Sequence, residues 1–187
     1  MFSFIKKFFR KEDKGVQSKS LRSIEPKNIN DLFLWHLEDL GYFKQSCYST
    51  VLRHLKHEID LNKQGVKLTT EQKKELGINA RLAITTDLVD VLSDKGITLS
   101  DPKSALKRVY YRATFEANRL ESLQKIMDAG FFEVIYRSSG DERDCPWCEA
   151  NNGNRFPVSE EANEAIKTNC TCAWNRGFFG PVVKVKK

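Results

Sequence analysis

Four of the five cysteines announce their chemistry by spacing: Cys145-Pro146-Trp147-Cys148, then 21 residues, then Cys170-Thr171-Cys172. A CxxC turn and a CxC pair each aim two sulfurs inward, and four thiolates at tetrahedral corners balance the charge of a zinc ion. The intervening loop carries Gly153 and Pro157, the turn residues that a knuckle needs. One structural Zn2+ per chain is therefore expected on Cys145, Cys148, Cys170 and Cys172, with no position left open for water or substrate. Two disulfides or four buried thiols are the alternatives. Residues 1–10 interleave lysines with apolar residues and lack a small-residue cleavage site, which points away from a secretory leader and towards a reducing cytoplasm where disulfides are disfavoured. A thioredoxin-type redox pair would need a βαβ setting; a strand-like run precedes Cys145, and no helix of that type is expected after it.

The residues around the cysteines have quieter readings. Asp141 and Arg143 fit a turn-stabilising ion pair, contacts supporting the sulfurs, or an ordinary solvated turn. Trp147 and Trp174 stand beside ligands and are expected to shield the site rather than stack on a base. No catalytic constellation emerges, so an enzyme is not expected. His36, His54 and His57 all precede residue 60, whereas an HNH-type nuclease needs histidines inside its metal finger. His36-Leu37-Glu38 supplies the H-x-E half of a zinc deaminase, but proline follows Cys145 instead of preceding it, so the second half fails. His54 and His57, with Glu58 nearby, could begin a surface metal site or be solvated. Cys47 reads as a small buried hydrophobe, and Glu116, Glu121 and Asp128 as the solvated side of a long helix.

Thirty-one Lys and Arg against 25 Asp and Glu give a net charge of +6 over 187 residues, which permits contact with nucleic acid, an anionic membrane surface or acidic protein. No apolar run approaches the roughly 20 residues that span a bilayer. Residues 1–27 hold eight basic and three acidic side chains, among them Lys6, Lys7, Arg10 and Lys11, and place Phe2, Ile5, Phe8 and Phe9 at helical spacing. This tail predicts a short amphipathic helix that lies on a membrane, docks in a partner groove or packs on its own core.

The elements that must position the cysteines are mostly helical. Ile29, Leu32, Phe33, Trp35 and Leu37 predict a helix ending at Gly41. Cys47, Val51, Leu55 and Ile59 recur every four residues and predict a second helix over residues 42–62. A third helical run is expected over 70–96, broken at Gly77. The longest starts at Ser100-Asp101-Pro102 and continues to Gly130, with Leu106, Val109, Tyr110, Ala113, Ala117, Leu120, Leu123 and Met127 as one apolar stripe. Residues 131–137 then turn β-rich and lead into the cysteines.

Arg112-Ala-Thr-Phe-Glu116, Asp128-Ala-Gly130, the strand, and Asp141-Glu-Arg143-Asp-Cys145-Pro-Trp-Cys148 form an ordered series. With Gly153, Phe156, Cys170 and Cys172 it resembles the C-terminal region of phage Mu F-like minor head, or head-morphogenesis, proteins, over about residues 104–176. Lys167-Thr168 stand where that family usually has His-Pro, and Thr171 replaces an Arg, so the site here relies on sulfur alone. The resemblance implies a phage or prophage-derived structural protein. It would associate with portal or capsid components, in the cytoplasm of a bacterial host or in the virion. The alternative is a zinc-containing nucleic-acid-binding protein using the basic tail and Lys184, Lys186 and Lys187. The fold class expected is mainly α, α+β. It comprises a basic tail (1–27), a helical domain (28–130) whose long helix leads into a small β-containing zinc knuckle (131–180), and a basic end (181–187).

Overall fold

The computed structural model describes residue 24 and residues 27–183. The basic residues expected to meet nucleic acid or membrane, Lys6, Lys7, Arg10, Lys11, Lys184, Lys186 and Lys187, and the proposed amphipathic start lie outside them. The fold is mainly helical with one small antiparallel sheet.

Helix α1 (Ile29–Leu40) begins where the Asn28 side chain accepts the Asn30 N–H at 2.9 Å and ends at Gly41, whose φ of 62° lets its N–H reach the Leu37 carbonyl. The second helix is shorter than its periodicity predicts. Residues 42–44 are extended, with Phe43 bridged to Leu92; a 3-10 turn (Gln45–Cys47) then leads into α2 (Tyr48–Leu55). His57 stops it by taking φ 62°, so that the Glu58 N–H folds back to the Arg53 carbonyl, and Ile59 packs on the core from a loop.

The run expected over 70–96 resolves into three short helices, α3 (Thr70–Glu75), α4 (Thr86–Val91) and α5 (Asp94–Ile97). Each has its own cap: Thr69 with Gln72 in a reciprocal box, then Thr85, then Ser93. Gly77, at φ 68°, ends α3 where the break was expected; hydroxyl commitments outside the run make the later ones. Thr85 Oγ1 donates to the Leu61 carbonyl at 2.6 Å and Ser93 Oγ to the Gly41 carbonyl at 2.7 Å, fixing extended backbone where a continuous helix would have passed.

Helix α6 (Ser104–Asp128) starts after a turn in which Asp101 accepts the Lys103 N–H, two residues inside the expected start. Its 25 residues make a rod of about 38 Å, followed by β1 (Glu133–Arg137), α7 (Pro146–Asn151), β2 (Arg155–Pro157), α8 (Glu160–Asn169) and β3 (Phe178–Pro181). The sheet order is β2-β1-β3, both pairings antiparallel, with Val134 opposite Phe156 and Pro181. The helix that follows Cys145, α7, is only six residues long. Since β1 and β2 are antiparallel, the parallel βαβ unit of a thioredoxin is not formed.

Two apolar cores share α6. The larger collects α1, α2, α4 and the first half of α6, including Leu37, Val51, Leu88, Leu92 and Val109. The smaller unites Leu120 and Leu123 of α6 with Val134, Tyr136, Val158, Ile166 and Phe179. The end of the long helix is thus a wall of the second core. Ile24, within the basic tail 1–27, is buried in the second core, and Pro181, at the start of the basic end 181–187, pairs with Val134 in β3. Among the described residues, nine apolar side chains are buried in this second core, with Ile126, Met127, Trp147, Phe156 and Cys170 partly buried against it.

Candidate metal centre

Local structure places each sulfur. Cys145 caps α7 with extended backbone, Pro146 supplies the first helical position, and Cys148 follows at the three-residue spacing that shares a helix face. Cys170 ends α8 with its N–H on the Ile166 carbonyl, and Cys172 lies in the bend just beyond. The four Sγ atoms all fall within 4.8 Å of one another. Cys148 lies 3.6 Å from Cys145, 3.6 Å from Cys170 and 3.8 Å from Cys172, and Cys145 lies 3.8 Å from Cys170. A tetrahedron with metal–sulfur bonds of about 2.3 Å has edges of about 3.8 Å. These separations fit a four-thiolate metal ion and greatly exceed a covalent S–S bond of about 2.05 Å.

The surroundings suit negative sulfur. The Cys145 N–H donates to Cys172 Sγ at 3.3 Å, and the Tyr136 hydroxyl to Cys148 Sγ at 3.4 Å. Asn175 Nδ2 reaches Cys148 Sγ at 3.1 Å and Cys170 Sγ at 3.4 Å. Burial pushes the Cys145 thiol up, but N–H groups at Cys148 and Thr171 outweigh it and bring it to about 6. Burial, then the neighbouring Cys170 sulfur, pushes Cys148 up to about 11 and Cys172 higher still. Sulfurs packed this closely oppose one another's charge; a cation among them lets all four be thiolates.

Asp141 and Arg143 do form an ion pair, at 2.7 Å, yet Arg176 is the stronger partner, gripping both Asp141 oxygens at 2.6 Å each. Arg176, then Arg143, hold the Asp141 carboxyl far below the usual range. This fork pins the loop before Cys145 to the segment after Cys172. Arg143 approaches the sulfurs only through its carbonyl, 3.4 Å from Cys172 Sγ. Trp147 packs on Tyr136 and Trp174 on Tyr111.

Helix α6 braces the centre from outside. Arg112 donates to the carbonyls of Ala173 at 2.9 Å and Cys172 at 3.2 Å. Glu116 is not on a solvated face: it is 1 % exposed and accepts from His36 at 2.9 Å and from Asn163 at 3.2 Å, with Lys167 at 3.4 Å. Periodicity misplaced it because Glu116 falls between two apolar stretches of α6, where polar partners from α1 and α8 converge. Burial alone would raise Glu116, but the His36 hydrogen bond and the charges of Lys167 and Arg119 more than offset this and hold it below its ordinary value. Arg119, 5 % exposed, donates to Asn163 Oδ1 at 3.0 Å and to Asn175 Oδ1 at 3.3 Å. A continuous polar chain thus runs from His36 through Glu116, Asn163, Arg119 and Asn175 to the sulfurs. It borders a cavity of about 30 Å³ into which His36, Arg112 and Lys167 also face.

Asn175, Asn163, Arg119, Tyr136 and Arg176 carried no sequence signal of their own, since none stands at a spacing that implies chemistry. His54 and His57 line one pocket but are engaged elsewhere: His54 Nδ1 accepts the Leu61 N–H, and the His57 ring packs on Tyr110. Among the described residues the four cysteines are the one cluster of three or more such groups that could hold a metal. Cys47 is partly buried against the larger core, and Glu121 pairs with Lys125 on the exposed side of α6. No described helix is long and apolar enough to cross a membrane. Comparisons with protein-family models, with curated proteins and with solved structures give no match to the chain.

Proposed function

We propose that the cysteine centre is a structural zinc site and that the chain is a non-enzymatic, head-morphogenesis-like protein of phage or prophage origin, acting through protein–protein contacts. The observation that carries the zinc reading is the near-tetrahedral set of four sulfurs, closest pairs 3.6–3.8 Å apart, with every corner supplied by protein. A closed tetrathiolate leaves no position for a substrate or an activated water, so the metal's role is to hold the module together. Its binding energy, about 10 kcal/mol or more for structural zinc, is of the size this small core needs.

The head-protein reading rests on the order Arg112…Glu116, Asp141-x-Arg143-x-Cys145-x-x-Cys148 and Cys170-x-Cys172. The residues of that series are all engaged around the centre: Arg112 grips the closing cysteine loop, Glu116 organises the seam, and Asp141 ties the two cysteine arms through Arg176. Portal or capsid components are the partners this reading names, with the host cytoplasm or the virion as the location.

Native mass spectrometry tests the first half: one zinc per chain, lost in Cys145→Ser, is expected. Co-expression with the portal protein of the genome that encodes the chain tests the second, with co-elution expected. A metal-free, fully stable protein would remove the zinc reading. Failure to co-elute, combined with tight and steeply salt-dependent DNA binding, would instead favour the nucleic-acid reading.

A further inference from the structure

Three residues within five positions of α1 are tied to the metal module or to its braces. Trp35 lies under the Lys167 ammonium, which stands 3.8 Å from the ring centroid. His36 bonds Glu116 at 2.9 Å, and Asp39 faces Arg112 at 3.6 Å. Each of the last two ties leads on to the sulfurs. Arg112 holds the Cys172 and Ala173 carbonyls, and Glu116 connects through Asn163 and Arg119 to Asn175, which contacts two sulfurs. The other ties of α1 go to the larger core, which holds no cysteine of the cluster; they are apolar apart from the Tyr48 hydroxyl, which donates to the Leu37 carbonyl at 3.3 Å.

We infer that occupancy of the cysteine centre governs how firmly α1 is seated on α6, so that metal binding is communicated from the small module to the helical domain. The inference rests on the reading of the centre as a metal site. Four thiolates keep their spacing through a central cation; without it nothing bonds the four sulfurs together and the CxC bend relaxes. Asn175 and the Cys172 carbonyl move with that bend, and Arg119 and Arg112 lose partners on the module side. Both cations lean on the α1 seam, one beside Glu116 and one on Asp39. Arg119 is buried, and a buried cation deprived of a partner is costly enough to draw water into the seam. His36 sits where that water would arrive: its Nδ1 is buried without a hydrogen-bond partner among the described residues, and its ring lines the cavity shared with Cys170 and Cys172.

Hydrogen exchange by mass spectrometry on the full chain tests this, with zinc content read on the same samples. Removing zinc should speed exchange in α1 by about tenfold or more, the scale of one lost charge-assisted hydrogen bond, while α4, in the same core but off the polar chain, changes less than about twofold. Glu116→Gln should still bind one zinc, but its α1 should exchange fast with or without it; His36→Gln is the second variant should the first fail to fold. Zinc bound with α1 exchange indifferent to its removal would overturn the coupling alone. So would α1 and α4 opening together, since that is global unfolding and not a routed effect. A chain that binds no zinc would overturn both the coupling and the site.

Discussion

The Asn175 side chain donates to Cys148 Sγ at 3.1 Å while its carbonyl oxygen receives the Arg119 guanidinium at 3.3 Å. One amide thus orients two sulfurs, Cys148 and Cys170, and anchors them to a buried cation on α6. Outer hydrogen bonds of this kind fix ligand direction and disperse thiolate charge. Asn175→Ala is expected to weaken zinc binding about 10- to 100-fold, measured by competition with a chromophoric chelator. Unchanged affinity would take Asn175 out of the metal's support.

Metal removal should unfold the module and not merely loosen it. Structural zinc contributes about 10 kcal/mol or more, comparable to the whole stability of a typical domain. Chelator, or Cys145→Ser, should abolish the near-ultraviolet circular dichroism of Tyr136 and Trp147, which pack together beside Cys148. Cobalt(II) added to the apo protein should restore it with the absorption of a tetrahedral thiolate complex. A retained aromatic signal after complete metal loss would contradict the staple role.

Glu116 makes an acid-sensitive contribution. Its carboxyl is held below its ordinary value in the folded chain, so the native state binds fewer protons than the unfolded one as pH falls past the usual glutamate range. The stabilisation is fully present above the unfolded value and disappears as pH drops through the lower folded one. Glu116→Gln should be less stable than the parent at neutral pH, and the gap should narrow on acidification. Urea titrations at several pH values, with zinc content followed in parallel because thiolate ligands also protonate in acid, provide the check. A pH-independent gap would mean that Glu116 acts by shape and not by charge.

Gly177 has no room for a side chain. A Cβ there would run into the Tyr136 ring and hydroxyl, the group that donates to Cys148. Gly177→Ala should cost about 1–3 kcal/mol by overpacking and weaken zinc binding as well. Tyr136→Phe removes the donor without the clash, so it should lower affinity and, through it, the melting temperature, by less than Gly177→Ala does. Equal behaviour of the two variants would show that the clash, and not the hydroxyl, is what the metal feels.

Much of this molecule was legible before folding. Cysteine ligand spacing is local and chemically restrictive, so Cys145, Cys148, Cys170 and Cys172 were identifiable as one site, and they do converge. The α6 stripe was legible for the same reason, because a 3.6-residue period over 25 residues leaves little ambiguity. Short elements were harder. The run over 70–96 has helical periodicity, but the Thr85 and Ser93 hydroxyls are committed to distant carbonyls that no local pattern reveals.

The sequence by itself determined the four-cysteine cluster, the mainly α character and the passage from long helix to small sheet, because each rests on residue type and near-neighbour spacing. Only the tertiary structure decided that Glu116 is buried, that His36 meets it across 80 positions of chain, that Asn175 reaches the sulfurs and that Ile24 belongs to the metal module's core. Those relationships depend on which faces of α1, α6 and α8 are pressed together. A buried charge is tolerated only where partners from several elements converge, and that convergence is a property of packing, not of any segment alone.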